Sequence, residues 1–331
     1  MEQKKILEML SDVIDELREN RQWGTAHIYQ STRNSFSLYI KGIDMPFADL
    51  TPVLLKDYET HLRQRQCSWN TVATYMKVLK AVYNRAVDHG QARFVPRLFR
   101  HVRTSPCTER KKALEASTMK KILYDAGDTV DASCQRAGRH VMNPTREDGV
   151  SRTSLPTSLQ RVRMYFSLMF LLRGIPFVDL VYLRKKDIKE NVLSYRRRKT
   201  GRLLTVALTP EACRLIRQLS NTDKKSPYLF PFLSSQEGTE DAYHEYQLAL
   251  RRFNRQLKIL SEYESSLSHL STYAARHTWA TLAYYCEIHP GIISEAMGHS
   301  SIAVTEVYLK PFRNSRIDKA NSQVISFVKE Q

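Results

Sequence analysis

Along most of the chain, apolar residues recur at helical spacing. Ile6, Leu7, Leu10, Val13, Ile14 and Leu17 form one stripe, and Ala26, Tyr29, Phe36 and Tyr39 form a second within residues 23–40, which Gly42 ends. Thr51 is a plausible N-cap with Pro52 at the first helical position, and the helix it opens carries Leu54, Leu55, Tyr58 and Leu62. A fourth helix starts near Ser68, carries Val72, Tyr75, Met76, Leu79, Val82, Tyr83 and Ala86, and stops at Gly90. The pattern predicts a small helical bundle.

Periodicity is lost over residues 91–112, where prolines and scattered arginines read as a linker. A helix capped by Ser117 follows, running to Tyr124, and residues 125–156 then lack any usable period and read as a long loop. Residues 159–172 leave almost no polar face and predict a buried helix. Residues 192–208 place β-type residues on both sides of Lys199-Thr200-Gly201, which predicts a hairpin. The remainder is helical near residues 210–220, 242–260, 272–286, 291–297 and 301–309. The expected fold is mainly α with a small β-sheet.

Composition narrows the function. The 331 residues fit two domains, and 42% hydrophobic content is ample for packed interiors. A net charge of +17 points to a polyanionic partner, nucleic acid before all others. Exposed-face positions of the first bundle hold Arg63, Arg65, Lys77, Lys80 and Arg85, and the hairpin holds Arg196, Arg197 and Arg198; all eight are candidate DNA contacts. Five cysteines, odd in number and far apart, predict neither a disulfide framework nor a zinc site. The opening residues contain no signal-peptide core and no apolar run approaches a membrane span. A soluble, cytoplasmic, nucleoid-associated protein with no membrane partner is expected.

Several residues stand oddly for a core. Arg173 ends the buried helix just before Gly174 and Pro176, with Asp179 close enough in sequence to orient it by an ion pair. Arg276 shares a helix face with Trp279, Ala280 and Ala283, so an arginine points inward. His299 sits in a tight turn between Gly298 and Ser300, and Tyr308 lies on the short helix that this turn opens. Taken singly, each has a plain structural role: a helix cap for Arg173, a solvated hairpin tip for Lys199, core packing for Tyr308. Two inward arginines together suit the equatorial oxygens of a phosphate in a pentacoordinate transition state.

Five motifs in order resemble the phage-integrase family of tyrosine recombinases: Arg173-Gly-Ile-Pro-Phe-Val-Asp179-Leu, Arg198-Lys199-Thr200-Gly201, Ala275-Arg276-His277-Thr278-Trp279-Ala280-Thr281, Met297-Gly298-His299-Ser300-Ser301 and Val307-Tyr308-Leu309. The wording of the arginine motifs resembles bacterial, Bacteroides-type integrases and invertases. The resemblance implies a helical core-binding domain over residues 1–105, a linker over 106–112, a mixed α/β catalytic domain over 113–312 and a tail over 313–331 that docks in trans or folds back in cis. It implies that Arg173 and Arg276 clamp the scissile phosphate, Lys199 protonates the leaving 5′ oxygen, His299 hydrogen-bonds the phosphate and Tyr308 is the nucleophile, with Asp179 and His277 supporting them. None of these tasks demands a metal or other cofactor. Where the family usually has a histidine three residues before the second arginine, this chain has Tyr273, whose hydroxyl is expected to donate to the phosphate in its place.

The implied partners are double-stranded DNA at a specific recombination site, gripped by a C-shaped clamp, and three further copies of the chain in a homotetramer on paired sites. An accessory DNA-bending protein is compatible with this picture. The implied reaction is integration, excision or inversion of a DNA segment. The alternatives are a DNA-binding protein that keeps the fold without catalysis and a type IB topoisomerase-like enzyme.

Overall fold

The computed structural model describes residues 4–105, 113–128, 155–263, 270–306 and 314–330. The expected linker over 106–112, most of the expected loop over 125–156, and Tyr308 lie outside the described residues. The fold is mainly α with one small antiparallel sheet. Among the described residues no helix is long and apolar enough to cross a membrane.

The chain divides into two compact units, Met1–Glu109 with Gly238–Tyr243, and Arg110–Glu237 with His244–Gln331. The first contains α1 (Ile6–Glu19), α2 (Trp23–Tyr39), α3 (Pro52–Gln64) and α4 (Trp69–Asp88). The starts of α1, α3 and α4 are fixed by side-chain caps. Asp44 accepts from the amides of Leu7 and Glu8 at 2.9 and 3.1 Å, Thr51 from Leu54 at 3.2 Å, and Ser68 from Thr71 at 3.1 Å. The apolar stripes meet in one core built on Ile6, Leu10, Phe36, Leu55, Tyr58, Leu62 and Met76. Tyr58 is large and fully buried, and its hydroxyl is satisfied by Ser35 at 2.9 Å.

In the second unit, α5 (Ala116–Asp128) is followed by α6 (Thr157–Leu171), which packs against α5 and against two later helices, α8 (Pro210–Leu219) and α10 (Thr272–Tyr285). Beyond its first turn α6 is buried along most of its length, as the apolar residues on all its faces require. α5 begins before Ser117, which therefore lies inside the helix, and it continues through Asp128. The expectation that it stops at Tyr124 is corrected: poor helix formers such as Asp125 and Gly127 end a pattern in sequence without ending the helix.

A short α7 (Phe177–Val181) leads to β1 (Ile188–Lys189), β2 (Val192–Arg196) and β3 (Leu203–Ala207), in the order β1-β2-β3. The expected hairpin pairs Leu193 with Val206 and Tyr195 with Leu204, and β1 adds a strand too short to leave a pattern in sequence. Beyond α8 come α9 (Glu240–Tyr263), α10, α11 (Pro290–Ala296), α12 (Ile302–Glu306) and α13 (Asn314–Lys329).

Candidate active site

The site begins where α6 ends. Arg173 and Gly174 take left-handed φ angles of +56° and +67°, turning the chain so that Pro176 can start α7. Half-buried Arg173 donates from Nη1 to the Thr205 carbonyl on β3 at 3.2 Å. Gly174 is fixed by what faces it: a Cβ there would stand 2.8 Å from the Arg276 Cα. The turn and α10 therefore touch backbone to backbone.

Arg276 is 2% exposed. Its Nη1 donates to the Gly174 carbonyl at 2.8 Å, and its Nη2 donates to the Met297 carbonyl at 2.7 Å and to His299 Nε2 at 2.8 Å. A guanidinium only donates, so Nε2 of His299 must accept and the ring proton sits on Nδ1. Nδ1 then donates to the Thr305 hydroxyl on α12 at 2.7 Å. Burial, with Arg276, Arg197 and Lys199 nearby, lowers the His299 pKa to about 3, so the ring is neutral.

The hairpin closes onto the same turn. Arg197 donates from Nη1 to the carbonyls of Met297 and Gly298 at 2.6 and 3.0 Å, Thr200 donates to the Gly298 carbonyl at 3.1 Å, and Arg202 donates to the His299 carbonyl. Gly298, at φ +64°, permits the approach, since a Cβ there would meet Leu204 Cδ1 at 3.0 Å and Arg197 Cδ at 3.1 Å. Lys199 stands exposed at the hairpin tip. The structure thus gathers Arg173, Lys199, Arg276 and His299 around one turn of chain.

This is a cradle of fixed cations with a neutral imidazole, and it coincides with matches in sequence. Residues 5–98 match the model for the phage integrase SAM-like domain, and residues 155–314 match that for the phage integrase family. The chain is a tyrosine recombinase of the phage integrase family. As an enzyme it is a tyrosine-type site-specific recombinase. No curated protein matches it in sequence.

Solved structures share the recombinase fold. A Tn1549 transposon integrase in complex with transposon right-end DNA superposes with a TM-score of 0.60 at 14% identity, covering 98% of this chain and 100% of that one. A lambda integrase dimer bound to a COC′ core site gives 0.58 at 16%, covering 92% and 77%. XerH site-specific recombinase bound to palindromic difH substrate gives 0.58 at 14%, covering 93% and 80%.

The remaining candidates of the recombinase are distributed unevenly. Tyr273, at the head of α10, is 50% exposed, with its ring 6.2 Å from that of half-buried His277. Asp179 does not pair with Arg173 as expected. It accepts from the Arg198 amide at 2.9 Å and lies 3.8 Å from Arg197 Nε, because α7 presents it to the hairpin. Burial raises its pKa against the pull of Arg198, Arg197 and Arg276.

Arg197, expected to face DNA, is instead 5% exposed, and its donors are held inside the protein. Arg198 lies over the Tyr182 ring at 3.8 Å and pairs with Glu237, while Arg196 stays exposed and donates to the Gly201 carbonyl at 3.2 Å. In the first unit Arg65, Lys77 and Lys80 are exposed. Arg63 binds the Cys67 carbonyl and lies over Trp69 at 4.5 Å, and Arg85 is held by an ion pair with Glu16. Sequence reasoning missed Gly174, Arg202 and Thr305. Only the two glycine-containing turns, each beside a marked residue, offered any signal.

Proposed function

We propose that this recombinase cleaves and rejoins double-stranded DNA at a specific site through a 3′-phosphotyrosine on Tyr308. The observation that carries the reading is the Arg276–His299 pair, buried together and held by main-chain carbonyls that also receive the hairpin. Donors fixed in advance of substrate stabilise developing charge without reorganising.

Tyr308 lies three residues beyond Thr305, the hydroxyl that holds His299. Its phenolic oxygen attacks phosphorus while the bond to the 5′ oxygen breaks. The phenol releases its proton to solvent, Lys199 supplies one to the leaving 5′ oxygen, and solvent reprotonates Lys199. Arg173 and Arg276 neutralise the non-bridging oxygens, the neutral His299 ring, whose Nε2 accepts from Arg276, holds that guanidinium in place on them, and Tyr273 donates to one of them. Attack by the freed 5′ hydroxyl of a second strand reverses these steps and rejoins the DNA.

We assign the reaction to integration, excision or inversion of a DNA segment, by four copies on two sites, in the cytoplasm at the nucleoid. One of the structures sharing the fold is a lambda integrase tetramer bound to a Holliday junction. On α13, Ile317, Val324, Phe327 and Val328 are 55–68% exposed, which supports docking of this helix on a neighbouring copy.

The test is covalent capture. Wild type selects a site from a randomised duplex library, and that site is rebuilt as a nicked suicide substrate. Wild type should give a protein–DNA band on a denaturing gel and Tyr308→Phe should give none. Equal binding with no band from either protein would support a non-catalytic DNA-binding protein instead.

A further inference from the structure

We propose that Arg197 is a positioning residue that sets Lys199 in register with the phosphate-binding cluster. The inference rests on Lys199 being the general acid of the function proposed above. It begins with strand alternation. Leu193 and Tyr195 face the core from β2, and the same period carries Arg197 inward, while Ser194, Arg196 and Arg198 face out. A leucine would suit an inward position. A guanidinium is costly to bury unless its donors are met in fixed geometry.

Here Nη1 is met by two carbonyls, one of which also holds Arg276, while Nε has no hydrogen-bond partner among the described residues and faces only the Asp179 carboxylate. Met297 O accepts from Arg197 Nη1 at 2.6 Å and from Arg276 Nη2 at 2.7 Å. Two buried cations converge on one carbonyl, and the Asp179 carboxylate, 3.8 Å from Arg197 Nε, offsets their repulsion.

Arg197 also closes the loop that carries Lys199. Its amide donates to the Arg202 carbonyl at 2.8 Å, and its own carbonyl accepts from the Gly201 amide at 2.7 Å. The next residue, Arg198, donates its amide to Asp179 at 2.9 Å. On the far side of Lys199, Thr200 is tied to the Gly298 carbonyl at 3.1 Å. Lys199 is therefore bracketed by anchors, and a short path runs from Arg276 through the Met297 carbonyl and Arg197 to the loop. A mispositioned acid fails at proton delivery and leaves phosphate clamping intact. That distinction makes the role measurable.

The experiment compares Arg197→Lys, Lys199→Ala and Arg276→Ala on the captured site, carrying either the normal 5′ oxygen or a bridging 5′ sulfur at the scissile phosphate. A thiolate leaves without a proton, so sulfur bypasses the acid. Lysine keeps the charge beside Asp179 but lacks the planar fork. On the oxygen substrate Arg197→Lys should form covalent complex about a hundredfold more slowly than wild type, a typical penalty for displacing a catalytic group by about 1 Å.

On the sulfur substrate Arg197→Lys and Lys199→Ala should both recover to within about threefold of wild type, and Arg276→Ala should not. An Arg197→Lys defect of equal size on both substrates, or none on oxygen, overturns the positioning role. Failure of sulfur to rescue Lys199→Ala overturns the general-acid assignment beneath it, so the two failures are distinguishable. If Arg197→Lys melts below assay temperature, Thr200→Val tests the opposite anchor. It should show a defect of roughly tenfold on oxygen, of the size one hydrogen bond supports, and recover on sulfur. An unrescued Thr200→Val defect likewise overturns the proposal.

Discussion

Basic residues are used in opposite ways by the two units. At the end of α3 and on α4 of the first unit, Arg65, Lys77 and Lys80 stand in solvent, whereas in the second unit Arg197 and Arg276 are 5% and 2% exposed and donate to main-chain carbonyls. An exposed cation meets a phosphate at a price in affinity that salt can screen, and each such contact is replaceable. A buried cation is desolvated and aimed before any substrate arrives, so its removal disturbs a network. Exposed charge therefore serves affinity, and buried charge serves geometry.

The largest effect should come from Arg276→Ala. It removes a phosphate ligand, frees the Gly174 carbonyl, leaves the Met297 carbonyl to Arg197 alone and unpins His299, so covalent-complex formation should fall by about a thousandfold or more. DNA affinity in a mobility-shift assay should change by less than about tenfold, because most affinity comes from other phosphate contacts. Comparable losses in both assays would break the division between the two kinds of charge.

Next is Gly174→Ala, which touches no substrate. A Cβ at φ +67° is strained, and it would stand 2.8 Å from a backbone atom of α10, where no rotamer change relieves it. The helix must shift and carry Arg276 with it. Cleavage should fall by about a hundredfold, with roughly 1–3 kcal/mol of stability lost in denaturant titration. Wild-type cleavage by this variant would mean that the cluster tolerates movement.

The buried histidine adds a pH signature. His299 has a folded pKa of about 3 against an ordinary 6.5, so between these values the unfolded chain takes up a proton that the folded chain refuses. The stability held in the neutral ring is present above about pH 6.5 and is lost as pH falls toward 3. Asp179, raised by burial, works in the opposite direction, so the proper reference is His299→Gln, which retains it. Cooling of the melting temperature from about pH 7 to about pH 4.5 should be several degrees greater in wild type than in His299→Gln. Equal slopes would show that the ring is not held neutral.

How much of this was legible follows from the same contrast. The four-helix core, the buried α6 and the marked turns were readable because apolar period and glycine placement are local signals. Arg197 was read as one of three surface arginines in a row, because a charge run suggests a solvated face. Counting alternate residues from Leu193 would have placed it inside. Asp179 was assigned to its neighbour in sequence, yet its partners are eighteen and nineteen residues away, across a loop-to-hairpin contact that no local pattern encodes. The passage of residues 238–243 into the first unit has the same origin.

On the exposed side, the double variant Lys77→Ala with Lys80→Ala should weaken DNA binding by roughly tenfold and reduce the salt slope by about one per lysine that meets a phosphate. The cleavage rate at saturating protein should be unchanged. Arg85→Ala should do less to binding, since Glu16 already neutralises that charge. A salt slope untouched by the double variant would place the exposed lysines away from the duplex.

The smallest effect, and the sharpest for the comparison, belongs to Tyr273→Phe. Tyr273 and Arg276 lie on the same helix, yet one is 50% exposed and the other 2%. An exposed hydroxyl that donates to a phosphate must be ordered by the substrate, so it supplies less than a donor fixed in advance. Loss of one such hydrogen bond corresponds to about threefold to tenfold in cleavage rate. Retention of the full rate would remove Tyr273 from the chemistry and leave the buried pair with Lys199 as sufficient. A loss approaching that of Arg276→Ala would mean that Tyr273 turns inward when DNA binds, and that exposure in the free protein is no guide to its role in the complex.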